Sequence, residues 1–286
     1  MQSHSIVEYV SRGAPRLKPG PVGVLLMEDL SETNSTIRHH LRLGLNNLIV
    51  LGSERLEISP ELAARVDHVV FDLSQSGSAQ LAINTLIPML EGRWVYYGYN
   101  AEYLFYPFCE TRTVSEMTAF AAEERRDSIL TYVIDLYAED LAKNPDGVSL
   151  AEAHLDKSGY YAHARSDEDG NLDRQLDMFG GLRWRFEEHV PPQSRKIDRI
   201  GLFRAQSGLE LKQGNTFNID EYNTYSCPWH HNLTAAICSF RAAKSLKTNP
   251  GSSEHIDSFK WHNSERFSWH SHQLLYLGLM EPGQWF

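Results

Sequence analysis

Five short apolar runs, each parted from the next by a stretch of helical patterning, constrain this chain more than any other feature. The first, Val22–Met27, is continuous, with no polar residue on alternate positions. Such a run suits a strand covered on both faces, as in a parallel sheet. Residues 48–51, 68–71, 94–97 and 129–136 supply the others. Between them, Ser31 or Thr33 is placed to cap a helix that reaches about Leu43, where Gly44 ends it. Ser59-Pro60-Glu61 opens a short helix with proline at its first position. Residues 78–90 and 113–126 give two more. Strands alternating with helices at this spacing imply βαβ units with right-handed crossovers. The predicted class is α/β, a mainly parallel sheet flanked by helices.

Beyond about residue 140 the pattern changes to polar loops carrying short aromatic segments, including Gly159-Tyr160-Tyr161 and the 178–186 stretch. Residues 232–246 read as a helix, and 268–279 as a last one. The expected organisation is a loose lead-in over 1–21, one domain over 22–247, and an irregular helical C-terminal extension over 248–286.

A net charge of −10 argues against a nonspecific nucleic-acid binder, which needs a basic face. A local pocket can still oppose the global sign and take an anionic small molecule. Three cysteines, Cys109, Cys227 and Cys238, without paired spacing favour free thiols in a reducing compartment. No apolar run approaches the ~20 residues of a membrane span, and the first twenty residues hold no signal-peptide core. The expectation is a cytoplasmic protein.

Candidate chemistry centres on residues 93–106, where an aromatic strand runs into a short polar turn holding one carboxylate, Glu102. Asp135 ends its own predicted strand, the place for a general base or for a turn carboxylate that caps a helix. Arg183 and Arg185 alternate with Leu182, Trp184 and Phe186. Read as a strand, that puts both guanidiniums on one face, to grip a phosphate or to meet solvent. Tyr96, Tyr97, Tyr99, Tyr103, Phe105 and Tyr106 are core rings or stacking surfaces for a base or sugar. Histidines crowd the C-terminal third, His230 and His231 among them. A Gly-rich phosphate loop, a Gly-x-Ser-x-Gly elbow and a His-Glu-x-x-His helix are all absent.

In order, these pieces resemble the family 2 glycosyltransferases, GT-A-fold enzymes of Rossmann type, over roughly residues 22–247. Glu28-Asp29 stands where that family has Asn-Glu, and 37–44 is similar to its helix ending in Leu-Gly. Residues 94–103 resemble its strand leading into Asp-x-Asp, Asp135-Leu136-Tyr137 its Asp-x-Tyr, and 180–185 its Gly-Gly-x-Arg-x-Arg. Residues 235–246 resemble its late Leu-His-Phe-Lys helix. The resemblance implies transfer of a sugar from a nucleotide-sugar to an acceptor hydroxyl, in surface polysaccharide synthesis. It implies a donor site from Glu28, Asp29, Ser53, Asn100, Glu102, Arg183 and Arg185, with Asp135 as the catalytic base and nucleotide-sugar and acceptor glycan as partners. The family's aspartates hold a divalent metal, Mn or Mg, which neutralises the leaving phosphate. Here those positions hold Tyr99 and Ala101, and Gly52 replaces another common aspartate. Three expectations follow from that loss. Arg183, Arg185 or Lys196 replaces the metal; Glu102 with His230 or His231 rebuilds its site; or the chain is a degenerate copy that binds, or scaffolds, without transferring sugar.

Overall fold

The computed structural model describes residues 2–3, 5–13 and 17–285. The chain divides into two compact units, one of Met1–Tyr103, Cys109–Leu130 and Ile200–Asn223, the other of Leu104–Phe108, Thr131–Arg199 and Thr224–Phe286.

The first unit is built on strands in the order Gln2–Ser3, Val66–Val70, Asn47–Gly52, Val22–Met27, Trp94–Tyr99, and then the 200–204 part of Asp198–Arg204. All pair in parallel except the last, which runs antiparallel to Trp94–Tyr99 with Leu202 opposite Tyr96. Every residue of Val22–Met27, Asn47–Gly52 and Trp94–Tyr99 is buried, as continuous apolar runs require. Helices Thr33–Arg42, Pro60–Ala63 and Ser78–Leu86 follow these strands in turn, so the α/β reading with a mainly parallel, helix-flanked sheet of Rossmann type holds.

Several local expectations do not hold. The lead-in is not loose: it carries the Gln2–Ser3 strand and helix Ile6–Gly13. Ile6 and Tyr9, three apart, are both buried, and the Tyr9 hydroxyl donates to Asp67 at 2.9 Å. Neither Ser31 nor Thr33 caps the next helix. Glu32 occupies the N-cap in the left-handed region (φ 54°), and Thr33 is the first helical residue. The apolar 94–97 run continues to Tyr99, and after a turn at 100–101 the chain resumes as strand Glu102–Phe105.

In the second unit the sheet order is the start of Asp198–Arg204, then Ser128–Asp135 (from Thr131 on), Ala235–Ser239 and the end of Glu102–Phe105. Ala235–Ser239 pairs in parallel with Ser128–Asp135, Ala235 opposite Thr131. The sequence predicts helix across 232–246. Its first part is this strand, buried at all five positions, and the helix begins only at Arg241. The alanines favour helix locally, but burial on both faces decides. The last helix is also shorter than expected, Ser271–Tyr276, with the His270 ring accepting from the His272 amide at 3.2 Å. Strand Ser264–Arg266 makes the C-terminal stretch mixed rather than helical, and it pairs with Ala153–Asp156 in a three-stranded sheet completed by Tyr137–Ala138. A hairpin, Tyr161–Asp167 with Gly170–Phe179, and a ribbon, Ser226–Cys227 with His230–His231, complete the unit. Among the described residues no helix is long and apolar enough to cross a membrane.

Candidate functional site

In the first unit, the residues following Val22–Met27 and Asn47–Gly52 lie at the carboxyl ends of parallel strands, where open α/β sheets place ligands. A cleft of about 280 Å³ is lined there by Leu30, Glu32, Thr33, Asn34, Ser35 and Glu57. Glu28, Asp29 and Ser53 are exposed beside those strand ends. At Gly52, where the family pattern has an aspartate, a Cβ would sit 3.1 Å from the Cβ of Met27, so a side chain there needs Met27 to give by a few tenths of an ångström.

Asn100 and Glu102 face inward. Both are fully buried. Asn100 Oδ1 accepts from the Glu28 amide at 3.0 Å, while its Nδ2 donates to Asp29 Oδ1 at 2.5 Å and to the Ser31 carbonyl at 2.9 Å. One side chain thus fixes the whole 28–31 loop. Glu102 Oε2 accepts from the Tyr99 amide at 2.9 Å and closes the turn between the two strands. Ala101, at the crest of that turn, adopts φ 56° and donates its amide to Thr36 Oγ1 at 2.9 Å. Nearby, His40 is fully buried, with Nδ1 2.8 Å from the Thr36 carbonyl and its ring stacked on Tyr96. Burial lowers its pKa to about 4, against the opposing pull of that carbonyl and of Glu102.

The left-handed backbone at 101 sets a stability test. Valine, branched at Cβ, is a poor occupant of that region and overfills a closed site. Ala101→Val is expected to cost about 2 kcal/mol in urea denaturation. Ala101→Gly should stay within about 1 kcal/mol of the parent, because relief of backbone strain offsets the lost methyl and the added chain entropy.

In the second unit the arginine stretch corrects the expectation of a strand. Leu182–Arg185 is one turn of helix, entered through Gly180 (φ 154°) and Gly181 (φ 65°). A Cβ on Gly181 would sit 2.9 Å from Asp135 Oδ2, so glycine lets the chain close over that carboxylate. Asp135 is fully buried at the end of its strand. It accepts from the Arg183 amide at 3.3 Å, and the Arg183 Nε lies 3.2 Å from its other oxygen. Its partner is thus a helix turn remote in sequence, whose N-cap position is Gly181. Burial raises its carboxyl above the usual range, with Arg183 opposing.

Arg185 does not share a face with Arg183. Its guanidinium meets Asp156 at 2.8 and 3.2 Å and donates to the Phe259 carbonyl at 2.8 Å. The rings of Tyr137, Phe186 and Trp261 surround it, at 5.5, 5.3 and 4.8 Å. Lys196 pairs with Asp177 at 2.7 Å, and Arg165 joins Asp177 to Asp198 at 2.7 and 2.5 Å. Asp156 and Trp261 escaped the sequence reading, since their partners lie far along the chain.

Glu102 belongs to the first unit, and His230 and His231 to the second. His230 Nε2 lies 3.3 Å from Cys227 Sγ, a partner that sequence reasoning missed although Cys-x-x-His stood in view. Among the described residues no three His, Cys, Asp or Glu side chains converge as metal ligands.

No family model matches the chain, and no curated protein matches it. It is similar to a solved structure from Bacillus anthracis, assigned as a glucose-1-phosphate thymidylyltransferase in complex with a sucrose. The identity is 6% and the TM-score 0.30, over 64% of this chain and 70% of that one. A likeness at that level carries no functional argument.

Proposed function

We propose that this chain is a binding protein on a GT-A-like scaffold that does not transfer sugar. One observation carries the reading. Each of the three cations that could stand in for the metal, Arg183, Arg185 and Lys196, is paired to an aspartate: Asp135, Asp156 and Asp177 respectively. Two of those aspartates are buried, so freeing the arginine would strand a charge. The lost Asp-x-Asp aspartates point the same way, since Asn100 and Glu102 serve the local backbone. The cleft brings two carboxylates, Glu32 and Glu57, which repel a diphosphate and accept hydrogen bonds from a neutral, hydroxyl-rich ligand.

A second reading, transfer of sugar from a nucleotide-sugar to an acceptor hydroxyl, is favoured by the position of that cleft at the strand ends. Thermal melts and donor-turnover assays with UDP-, GDP- and CDP-sugars, with and without manganese or magnesium, separate the two. The binding reading expects no metal-dependent rise in Tm and no turnover, whereas a saturating ligand at one hundred times its Kd would add about 2.7 kcal/mol. A manganese-dependent rise accompanied by donor breakdown sinks it and establishes the transferase.

A further inference from the structure

The short ribbon of Ser226–Cys227 and His230–His231 brings together three side chains that neither reading of the cleft uses. Cys227 and His230 are register partners across it. Cys227 Sγ lies 3.4 and 3.3 Å from the two ring nitrogens of His230. The thiol donates to Asn232 Oδ1 at 3.0 Å, and the Cys227 amide donates to the same oxygen at 3.2 Å. This double contact fixes the sulfur beside the imidazole. Asn232 Nδ2, on the same amide, is buried without a hydrogen-bond partner. The charged group meeting the ribbon from the neighbouring hairpin is Arg174. Its Nη1 donates to the Ser226 carbonyl at 2.9 Å, while its Nε pairs with Asp173 at 2.8 Å. The ring of His231, on the ribbon itself, lies 5.9 Å from that of Tyr225. The other two thiols differ. Cys238 is fully buried in its strand, and Cys109 Sγ lies 3.5 Å from the Glu110 carboxylate.

We propose that Cys227 is a nucleophilic modification site for small, carbonyl-bearing soft electrophiles, with His230 taking the thiol proton. An imidazole in contact with a thiol is placed to take its proton as the sulfur attacks, the general-base arrangement that activates a nucleophile. With iodoacetamide the step balances simply. A bond forms from Sγ to the methylene carbon, the carbon–iodine bond breaks, iodide leaves with the electron pair, and the thiol proton, turned from Asn232 Oδ1 toward His230 Nε2, moves to that ring. Asn232 orients the sulfur, and its unpaired Nδ2 is the donor for the carbonyl oxygen of the electrophile. The exposed Trp229, in the turn between the two residues, marks the approach from solvent.

The test is competitive labelling of the intact chain with limiting iodoacetamide at pH 7, read cysteine by cysteine by peptide mass spectrometry. Cys227 should be alkylated about tenfold faster than Cys109, although Cys109 is the more accessible. His230→Gln should remove that advantage and leave the Cys109 rate unchanged. Labelling of Cys227 no faster than Cys109 in the parent chain overturns the proposal without recourse to any variant. An unchanged Cys227 rate in His230→Gln, with Cys238 still protected as a sign of folding, overturns the role of the histidine.

Discussion

Replacing Asp156 by alanine should cost about 3–5 kcal/mol of folding free energy, the range for removing one partner of a buried ion pair. Its side chain is 2% exposed and that of Arg185 10%. Four hydrogen bonds end on its two oxygens: from the Tyr137 hydroxyl at 2.6 Å, Trp261 Nε1 at 2.8 Å, and Arg185 at 2.8 and 3.2 Å. The arrangement follows from strand register. Tyr137 pairs with His154, two residues from Asp156 on the same face, and Ser264 stands directly opposite Asp156. The Tyr137 phenol is pushed well above its usual value, first by burial and then by the Asp156 charge, so it stays a neutral donor. Alanine would leave the guanidinium with the Phe259 carbonyl and the three rings, and this retained cation–π contact should hold the loss toward the lower end. Guanidinium chloride denaturation of Asp156→Ala, Arg185→Met and the double variant gives the measurement. The double variant should lose well under the sum of the two single losses, since it strands no charge. Additive losses would show that the pair is not the unit that holds the second unit together.

That network also marks how far the sequence could be read. The continuous apolar runs predicted the parallel strands because their burial follows directly from composition, and the missing Asp-x-Asp aspartates were legible as residue identities. What escaped was decided by partners remote in sequence. Asp156 joins residues 137, 185 and 261, and nothing local distinguishes it from a turn aspartate. Arg183 and Arg185 fit a strand by alternation alone, but Gly180 and Gly181 turn the chain there and a carboxylate 48 residues away receives the new helix. Ala235–Ser239 misled in the same way, since its alanines favour helix until both faces are covered. Asn100 and Glu102 are visible in the sequence as the polar residues of the donor pattern, but only the structure shows Asn100 holding the 28–31 loop and Glu102 the turn after Tyr99.

The first unit should lose about 2–3 kcal/mol through His40 alone as the pH falls from 7 to 4.5. The sign follows from which state holds more protons. The pKa of His40 is about 4 in the folded chain and near 6.5 when unfolded. Between these values the unfolded state binds the extra proton, so stability rises with pH. The contribution is complete above about pH 6.5 and is lost as pH falls toward 4. Burial is the cause. The ring is enclosed between Tyr96 and His39, and its Nε2 has no hydrogen-bond partner among the described residues to receive a second charge. Glu102 moderates the penalty without cancelling it. His68 is shifted down as well, again mainly by burial, so the parent chain alone does not isolate the effect. The comparison is urea denaturation at pH 7 and 4.5 for the parent and for His40→Leu, whose pH dependence should be shallower by that same amount. Direct titration of the His40 ring by NMR in the folded parent supplies the check that needs no variant. A ring that protonates near pH 6.5 while the chain stays folded would show that the 36–40 turn opens to solvent, and with it the packing beneath the cleft.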